Sequence, residues 1–238
     1  MRLVFDIETD GLLPDVTKVH CIVLKDLDTN EVITPKIKKA MQLLGEAELI
    51  IGHNIIKYDI PVLQKLYGFY TEAKIFDTIV AARLMYPDIK ERDFRKKDYP
   101  KKLIGRHSLE AWGHRIGNYK SQIVTDWKEF TQEMLDYCIQ DVEVTATLYN
   151  ILTQSVQTDA LQLEHDVAQI IHRQEQHGFS FDKSAAEQLY SKLNLRRIEL
   201  EQELQKIFPP IVERTKFIPK VNNKSRGYVK GVPYMKVR

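Results

Sequence analysis

Apolar and polar positions along this chain follow two rhythms, one of period two and one near 3.6. The stretch 3–10, LVFDIETD, packs Leu3, Val4, Phe5 and Ile7 into a short run that ends at acids, as a strand buried on both faces does. Gly11 and Pro14 mark a turn, and 19–27 (VHCIVLKDL) and 31–34 read as further strands joined by Asp28-Thr29-Asn30. Residues 37–47 have helical spacing through Ile37, Ala40, Met41 and Leu44; 49–52 is a short apolar strand followed by His53-Asn54. A helix over 58–67 places Val62, Leu63 and Leu66 on one face and stops at Gly68, after which 74–77 reads as a strand and 78–85 as a helix ending before Pro87. Residues 86–106 carry no periodicity and read as a long exposed loop. Helix returns over 107–116, with Ser108 as N-cap, and most clearly over 130–153, where Leu135, Cys138, Ile139, Val142, Ala146 and Tyr149 recur near every 3.6 residues. A helix over 160–176 stops at Gly178, and 179–181 is a short extended piece. The capping box Ser184-x-x-Glu187 opens a last helix, ended near 207 by Pro209-Pro210. Strands first, then strands alternating with helices, predict a mixed α/β sheet covered by helices. The expected boundary lies near 155, with 1–155 as the main domain and 156–238 as a short helical extension and tail.

Composition narrows the class. Of 238 residues 43% are hydrophobic and 29% charged, the balance of a soluble globular protein, and no apolar run approaches a membrane span. Asp6 and Glu8 interrupt any secretory signal, and Cys21 and Cys138 form no C-x-x-C pair. The expectation is a reduced cytoplasmic protein without a cysteine zinc site. The net charge of +2 is unevenly spread: 212–238 hold eight Lys/Arg against Glu213 alone, and 90–106 hold eight against three acids. An acidic body with two basic segments suits a metal-dependent enzyme that meets a polyanion; solvated basic loops are the plainer alternative.

Candidate chemistry lies in the acids. Strand side chains alternate, so Asp6 and Glu8 project from one side. Two such carboxylates repel unless a cation lies between them, and hard oxygen ligands suit magnesium or manganese. Asn54, Tyr58 and Asp59 form N-x-x-x-Y-D after the strand at 49–52, while Tyr137 and Asp141 form Y-x-x-x-D and stack on one face of the strongest helix. Taken singly, Asp6 and Glu8 read equally as a strand end meeting solvent, Asp59 as a helix N-terminal acid, Asp141 as a solvated helix acid and Tyr137 as core.

In this order, D-x-E, N-x-x-x-Y-D and Y-x-x-x-D resemble the DEDD superfamily of 3′→5′ exonucleases. The tyrosine branch fits, because the position five before the last acid, where the other branch has histidine, is Asp136. Thr17-Lys18-Val19-His20-Cys21, Ser108-Leu109-Glu110-Ala111-Trp112-Gly113 and the run from Arg173 to Phe179 resemble the amino-terminal part of T-seven type phage DNA polymerases of family A. The likeness is densest over 1–185. Gly227-Tyr228-Val229 and Pro233-Tyr234 resemble the approach to a polymerase domain that does not follow.

The resemblance implies a ribonuclease H-like fold, two Mg²⁺ or Mn²⁺ ions, and release of nucleoside 5′-monophosphates from a single-stranded DNA or primer 3′ end. It implies Asp6, Glu8, Asp59 and Asp141 as metal ligands and Tyr137 as the residue that orients the attacking water. Thr9, Leu12 and Asn54 fall where the family grips the terminal nucleotide, although Leu12 also reads as core. Arg92, Arg95, Lys96 and Lys97, interleaved with Phe94 and Tyr99, are expected to hold the strand. Proofreading for a family A polymerase is the expected setting, in the host cytoplasm if phage-encoded, with the polymerising domain on another chain or missing here because the sequence is a fragment or a relative that works alone. RNA 3′-end trimming of ribonuclease D type and a non-catalytic docking role in a replicase stay open at this point.

Overall fold

The computed structural model describes residues 1–118, 127–154, 158–208 and 214–237. They form two compact units, Met1–Gly178 and Phe179–Arg238. In the first unit a five-stranded sheet has the order β3-β2-β1-β4-β5, built from β1 (Arg2–Thr9), β2 (Val19–Asp26), β3 (Val32–Ile33), β4 (Leu49–Gly52) and β5 (Lys74–Asp77). β1 pairs antiparallel with β2 and parallel with β4, so it is the strand at which the sheet changes sense. β2 and β3 are antiparallel, and β4 and β5 parallel. This is the expected mixed α/β sheet of ribonuclease H-like order, flanked by helices.

The alternation along β1 decides what each face carries. Leu3, Phe5 and Ile7 pack with Ile22 and Leu24 of β2 against Ala40 and Leu44 of α1 (Ile37–Glu46) and Val62 and Leu63 of α2 (Asp59–Tyr67). Val4 points the other way and packs with Val23, Ile51 and Phe76. Ala81 and Ala82 of α3 (Thr78–Met85), Trp112 of α5 (Leu109–Ile116) and Cys138 and Val142 of α6 (Gln132–Leu152) cover that side. Side chains two apart share a face, so Asp6 and Glu8 lie on the α6 side of the sheet. Gly52 ends β4 at a close approach: a Cβ there would lie 2.1 Å from Ile55 Cγ2 and 3.1 Å from the Phe5 carbonyl.

The expected elements form with shifts of a residue or two at their ends, and the caps at Ser108 and Gly68 are as expected. Two readings change. The stretch 86–106 is not a plain loop, because it holds α4 (Ile89–Phe94) and a 3₁₀ turn, Lys101–Leu103. Ile89 and Leu103 are buried there, and Asp93 receives a bidentate pair from Arg115 (3.0 and 2.8 Å) and a bond from the Gly105 amide (2.9 Å). A six-residue helix held by partners elsewhere in the chain leaves no period to read. The boundary expected near 155 lies outside the described residues, and the first compact unit runs on to Gly178. There α7 (Thr158–His177) buries Leu161 and His165 against the sheet.

The second change lies in the second unit, where Asp182 rather than Ser184 caps α8 (Lys183–Ile207), accepting from the Ala185 amide at 2.8 Å. Glu187 instead pairs with Lys183 (3.6 Å). The expected stop at Pro209-Pro210 lies outside the described residues. The tail forms a two-stranded ladder of β6 (Arg214–Phe217) and β7 (Tyr234–Val237). The rings of Phe217, Tyr228 and Tyr234 cluster within it at 5.0–6.2 Å.

Candidate active site

Three segments of the first unit deliver the acids. β1 sets Asp6 and Glu8 facing α6, and α6 answers with Cys138, whose thiol donates to the Asp6 carbonyl (3.4 Å) and to Asp6 Oδ2 (3.5 Å). Ligand atoms of Asp6, Glu8 and Cys138 all lie within 4.8 Å of one another. Glu8 is buried and Asp6 half-buried. One turn beyond Tyr137 on the same helix, Asp141 is buried as well. The side chain of Thr131 caps this helix at the Met134 amide (3.2 Å) and fixes where its first turns begin.

Asp59 enters from α2, of which it is the first residue, and is only 3% exposed. Burial pushes its carboxyl up to about 7; its own amide and that of Ile7 oppose this, while the charges of Asp77 and Asp141 add to it. The Ile7 amide lies between Asp6 and Glu8 in sequence, so its bond to Asp59 puts that carboxyl beside the end of β1, and the charge of Asp141 reaches it from α6. Such crowding is unfavourable for carboxylates alone and is reversed by a divalent cation, which is the sense in which the four residues fit one.

Beside Glu8, the one of the four acids that reaches it, lies a groove of about 450 Å³ lined by residues 7–12, Tyr58 and Trp127. Thr9 Oγ1 and the Tyr58 hydroxyl both lie within hydrogen-bonding distance of the Gly11 carbonyl (3.0 and 2.7 Å) and of each other, so one hydroxyl donates to the carbonyl and the other is free to donate to its neighbour. These bonds tie the end of β1 to the start of α2. Asp10 secures the next turn by accepting from Thr17 Oγ1 and from the amides of Thr17 and Lys18, which lowers its carboxyl to about 2. Leu12 is 76% exposed at the groove, so its core reading is dropped. Tyr137 is half-buried, with its ring edge-on to Trp127 at 6.2 Å. Asn54 has a left-handed backbone (φ 68°) and its carbonyl accepts from the amides of Lys57 and Tyr58. The contribution visible here is a turn that delivers Tyr58 and Asp59, which explains an asparagine at that position.

The four basic residues expected to hold the strand are carried by α4 and the turn after it, apart from the elements that bear the acids. Arg92 is paired with Asp88 (2.9 Å) and lies over the Tyr86 ring (5.1 Å). Arg95 and Lys97 are exposed. Lys96 lines a hollow of about 670 Å³ together with Lys90, Lys101, Phe94 and Tyr99, and with Asp98 and the Arg115-paired Asp93. Lys90, Lys101, Cys138 and Trp127 were not singled out as functional from the sequence. Cys138 is indistinguishable there from the apolar stripe of its helix, and Trp127 stands in a stretch without periodicity.

Residues 3–157 match a family model described as 3′-5′ exonuclease, of the DNA polymerase A type. The DNA-directed DNA polymerases of Escherichia phage T7 and Enterobacteria phage T3 are each 33% identical over 260 aligned positions, covering 87% of this chain and 37% of theirs. The chain therefore spans little more than a third of the length of these curated relatives. A solved structure titled as the apo form of the nuclease aligns with a TM-score of 0.49 at 23% identity, over 73% of this chain and 80% of that one. Among the described residues no helix is long and apolar enough to cross a membrane.

Proposed function

We propose, for a chain that belongs to the 3′-5′ exonuclease family of DNA polymerase A type, that it removes nucleotides from the 3′ end of single-stranded DNA with Mg²⁺ or Mn²⁺ as cofactor. The observation that carries this reading is the pair Asp6 and Glu8, whose ligand atoms lie within 4.8 Å of each other and of Cys138, beside a buried Asp59 that interacts with the Ile7 amide and the Asp141 charge and whose carboxyl burial raises to about 7. Asp6, Glu8 and Asp141 would hold one divalent cation, and Asp6 and Asp59 the other. When bound, such a pair neutralises the scissile phosphate and the oxygen that leaves it.

The chain's own residues supply position. The groove beside Thr9 and Leu12 receives the terminal nucleotide, with the exposed Leu12 side chain offering an apolar surface to its base. Asn54 holds the turn that brings Tyr58 and Asp59 to it. Tyr137, one helical turn before Asp141, presents its hydroxyl to the water that attacks phosphorus. As the water oxygen bonds to phosphorus, the bond to the 3′ oxygen breaks. The strand keeps a 3′ hydroxyl, and the product is a nucleoside 5′-monophosphate. Arg92, Arg95, Lys96 and Lys97, with the hollow around Phe94 and Tyr99, hold the strand further from its end.

The setting follows from the relatives, which are named as DNA polymerases. We place the chain in a proofreading role beside a family A polymerase on another chain, in the cytoplasm. Residues 1–155 form the nuclease body, and 156–238 the extension through which that partner docks. Matched single-stranded DNA and RNA oligonucleotides, incubated with and without chelator, test the reading. Metal-dependent loss of the DNA from its 3′ end supports it. Preferential loss of the RNA favours 3′-end trimming of RNA, and no loss of either leaves only a docking subunit. Deleting 212–238 should weaken co-purification with a polymerase that lacks its own exonuclease while sparing hydrolysis.

A further inference from the structure

Asp77 belongs to none of the acid motifs, yet it is 1% exposed at the end of β5. Its Oδ1 accepts from the amides of Asn54 (2.8 Å) and Ile79 (3.0 Å), and its Oδ2 from the amide of Ile56 (3.1 Å). Two of these donors belong to the turn that leaves β4 and delivers Tyr58 and Asp59; the third opens α3. Thr78, the next residue, grips the same turn: its hydroxyl donates to the Gly52 carbonyl (3.0 Å), and His53 Nδ1 pairs with that hydroxyl (2.8 Å). The dipeptide Asp77-Thr78 thus pins residues 52–56, including the left-handed Asn54. Behind it, the Asp77 amide donates to His165 Nε2 of α7 (2.7 Å), and His165 Nδ1 donates to the Leu161 carbonyl (2.8 Å). The His165 ring is buried beside Phe76, with centroids 5.7 Å apart.

We propose that Asp77 and His165 are positioning residues for the metal-holding carboxylate of Asp59. Asp77 clamps the turn that places Asp59, and His165 holds Asp77 in its place. The clamp suits a carboxylate, because three amide donors converge on its two oxygens. An asparagine there keeps one acceptor and turns an N–H₂ group toward donors, so the turn loses part of its support while the side-chain volume stays nearly constant. A second consequence concerns α7. It lies beyond residues 3–157, which match the family, yet through His165 it takes part in supporting the site.

The proposal rests on Asp59 as a metal ligand, and its test separates the two claims. Mn²⁺ alone is titrated calorimetrically into the intact chain and into Asp77→Asn and His165→Leu, each well below its own unfolding midpoint. Single-strand hydrolysis is then followed across Mn²⁺ concentrations. Asp77→Asn should weaken Mn²⁺ binding by about tenfold or more. It should also lower kcat at limiting Mn²⁺, with recovery at high Mn²⁺ and an unchanged KM for the strand. His165→Leu should shift in the same direction by less. If the folded variants bind Mn²⁺ within roughly twofold of the parent and only their unfolding midpoints fall, the role is structural and the proposal is wrong. Should Asp77→Asn not fold, His165→Leu decides by the same criterion. A parent that binds Mn²⁺ but hydrolyses nothing removes the exonuclease reading while the comparison of Mn²⁺ affinities still stands. A parent that binds no Mn²⁺ overturns both.

Discussion

Consider Asp59→Asn in the protein treated with chelator. Burial raises the Asp59 carboxyl to about 7, with Asp77 and Asp141 adding to the effect. In the unfolded chain the same group ionises at about 3.9. Below that value both states are neutral and the group costs nothing. As the pH rises the unfolded chain ionises first, so stability is progressively lost until the folded group also ionises near 7. Above both values the cost is about 4 kcal/mol, from about 1.4 kcal/mol per pH unit between them. Asparagine escapes this cost and can still accept from an amide, so at about pH 8 a gain on the order of 2–4 kcal/mol is expected. For a chain of this size that raises the unfolding midpoint by about 5–12 °C. At about pH 4 the gain should vanish. Thermal melts of parent and variant at the two pH values, in chelator, measure the difference directly. Mn²⁺ should reverse the order by stabilising the parent more than the variant, and hydrolysis by the variant should be lost. A variant that melts lower than the parent at the higher pH, or a gain equal at both pH values, would refute the reasoning.

Asp6→Ala and Asp141→Ala should each cost at least about a thousandfold in hydrolysis at unchanged folding, whereas Tyr137→Phe should stay within about a hundredfold; single-turnover rates on a labelled strand decide this. Neutralising Lys90, Lys96 and Lys101 should flatten the salt dependence of single-strand binding by about 0.7 for each phosphate that is no longer neutralised. Arg92→Gln should flatten it too, but by less than a lysine does, because Arg92 shares its charge with Asp88, and anisotropy titrations across salt concentration report both. Asp93→Asn leaves the Arg115 guanidinium, 5% exposed, without its carboxylate and should cost about 3–5 kcal/mol, or roughly 10 °C or more in the unfolding midpoint. Burial alone would raise Asp93, but Arg115 and the Gly105 amide outweigh it and hold the carboxyl low, so this stabilisation is present above about pH 4 and fades as the pH falls through the lowered value. Melts over that range should show the gap between parent and variant closing in acid.

Much of the arrangement was legible in the order of residues. The apolar run at 3–10 reads as a strand, so a shared face for Asp6 and Glu8 follows from the pleat. The helix containing Tyr137 and Asp141 spans 21 residues, long enough for its period to be unambiguous, and its apolar stripe proved to be core. Elements held by distant partners were not legible. α4 has six residues and depends on Asp93 meeting Arg115, 22 positions away, so the loop reading failed there. The tail strands pair across 16 intervening residues, and Asp182 took the cap that the Ser184 pattern implied. Leu12 could be read as core or surface until its exposure was known, since one residue carries no period.

Local sequence therefore determined which carboxylates share a strand face and which side chains share a helix face, because those relations depend only on backbone geometry over a few residues. Tertiary structure alone decided which distant segments meet. It set Cys138 against Asp6 and the Ile7 amide near Asp59, and it drove the Asp59 carboxyl toward neutrality by burying it. It also joined Asp77 to Asn54, Ile56 and His165, across separations of 21 to 88 residues. Those effects arise from burial and from hydrogen bonds between segments far apart in the chain, and neither leaves a pattern in the order of residues.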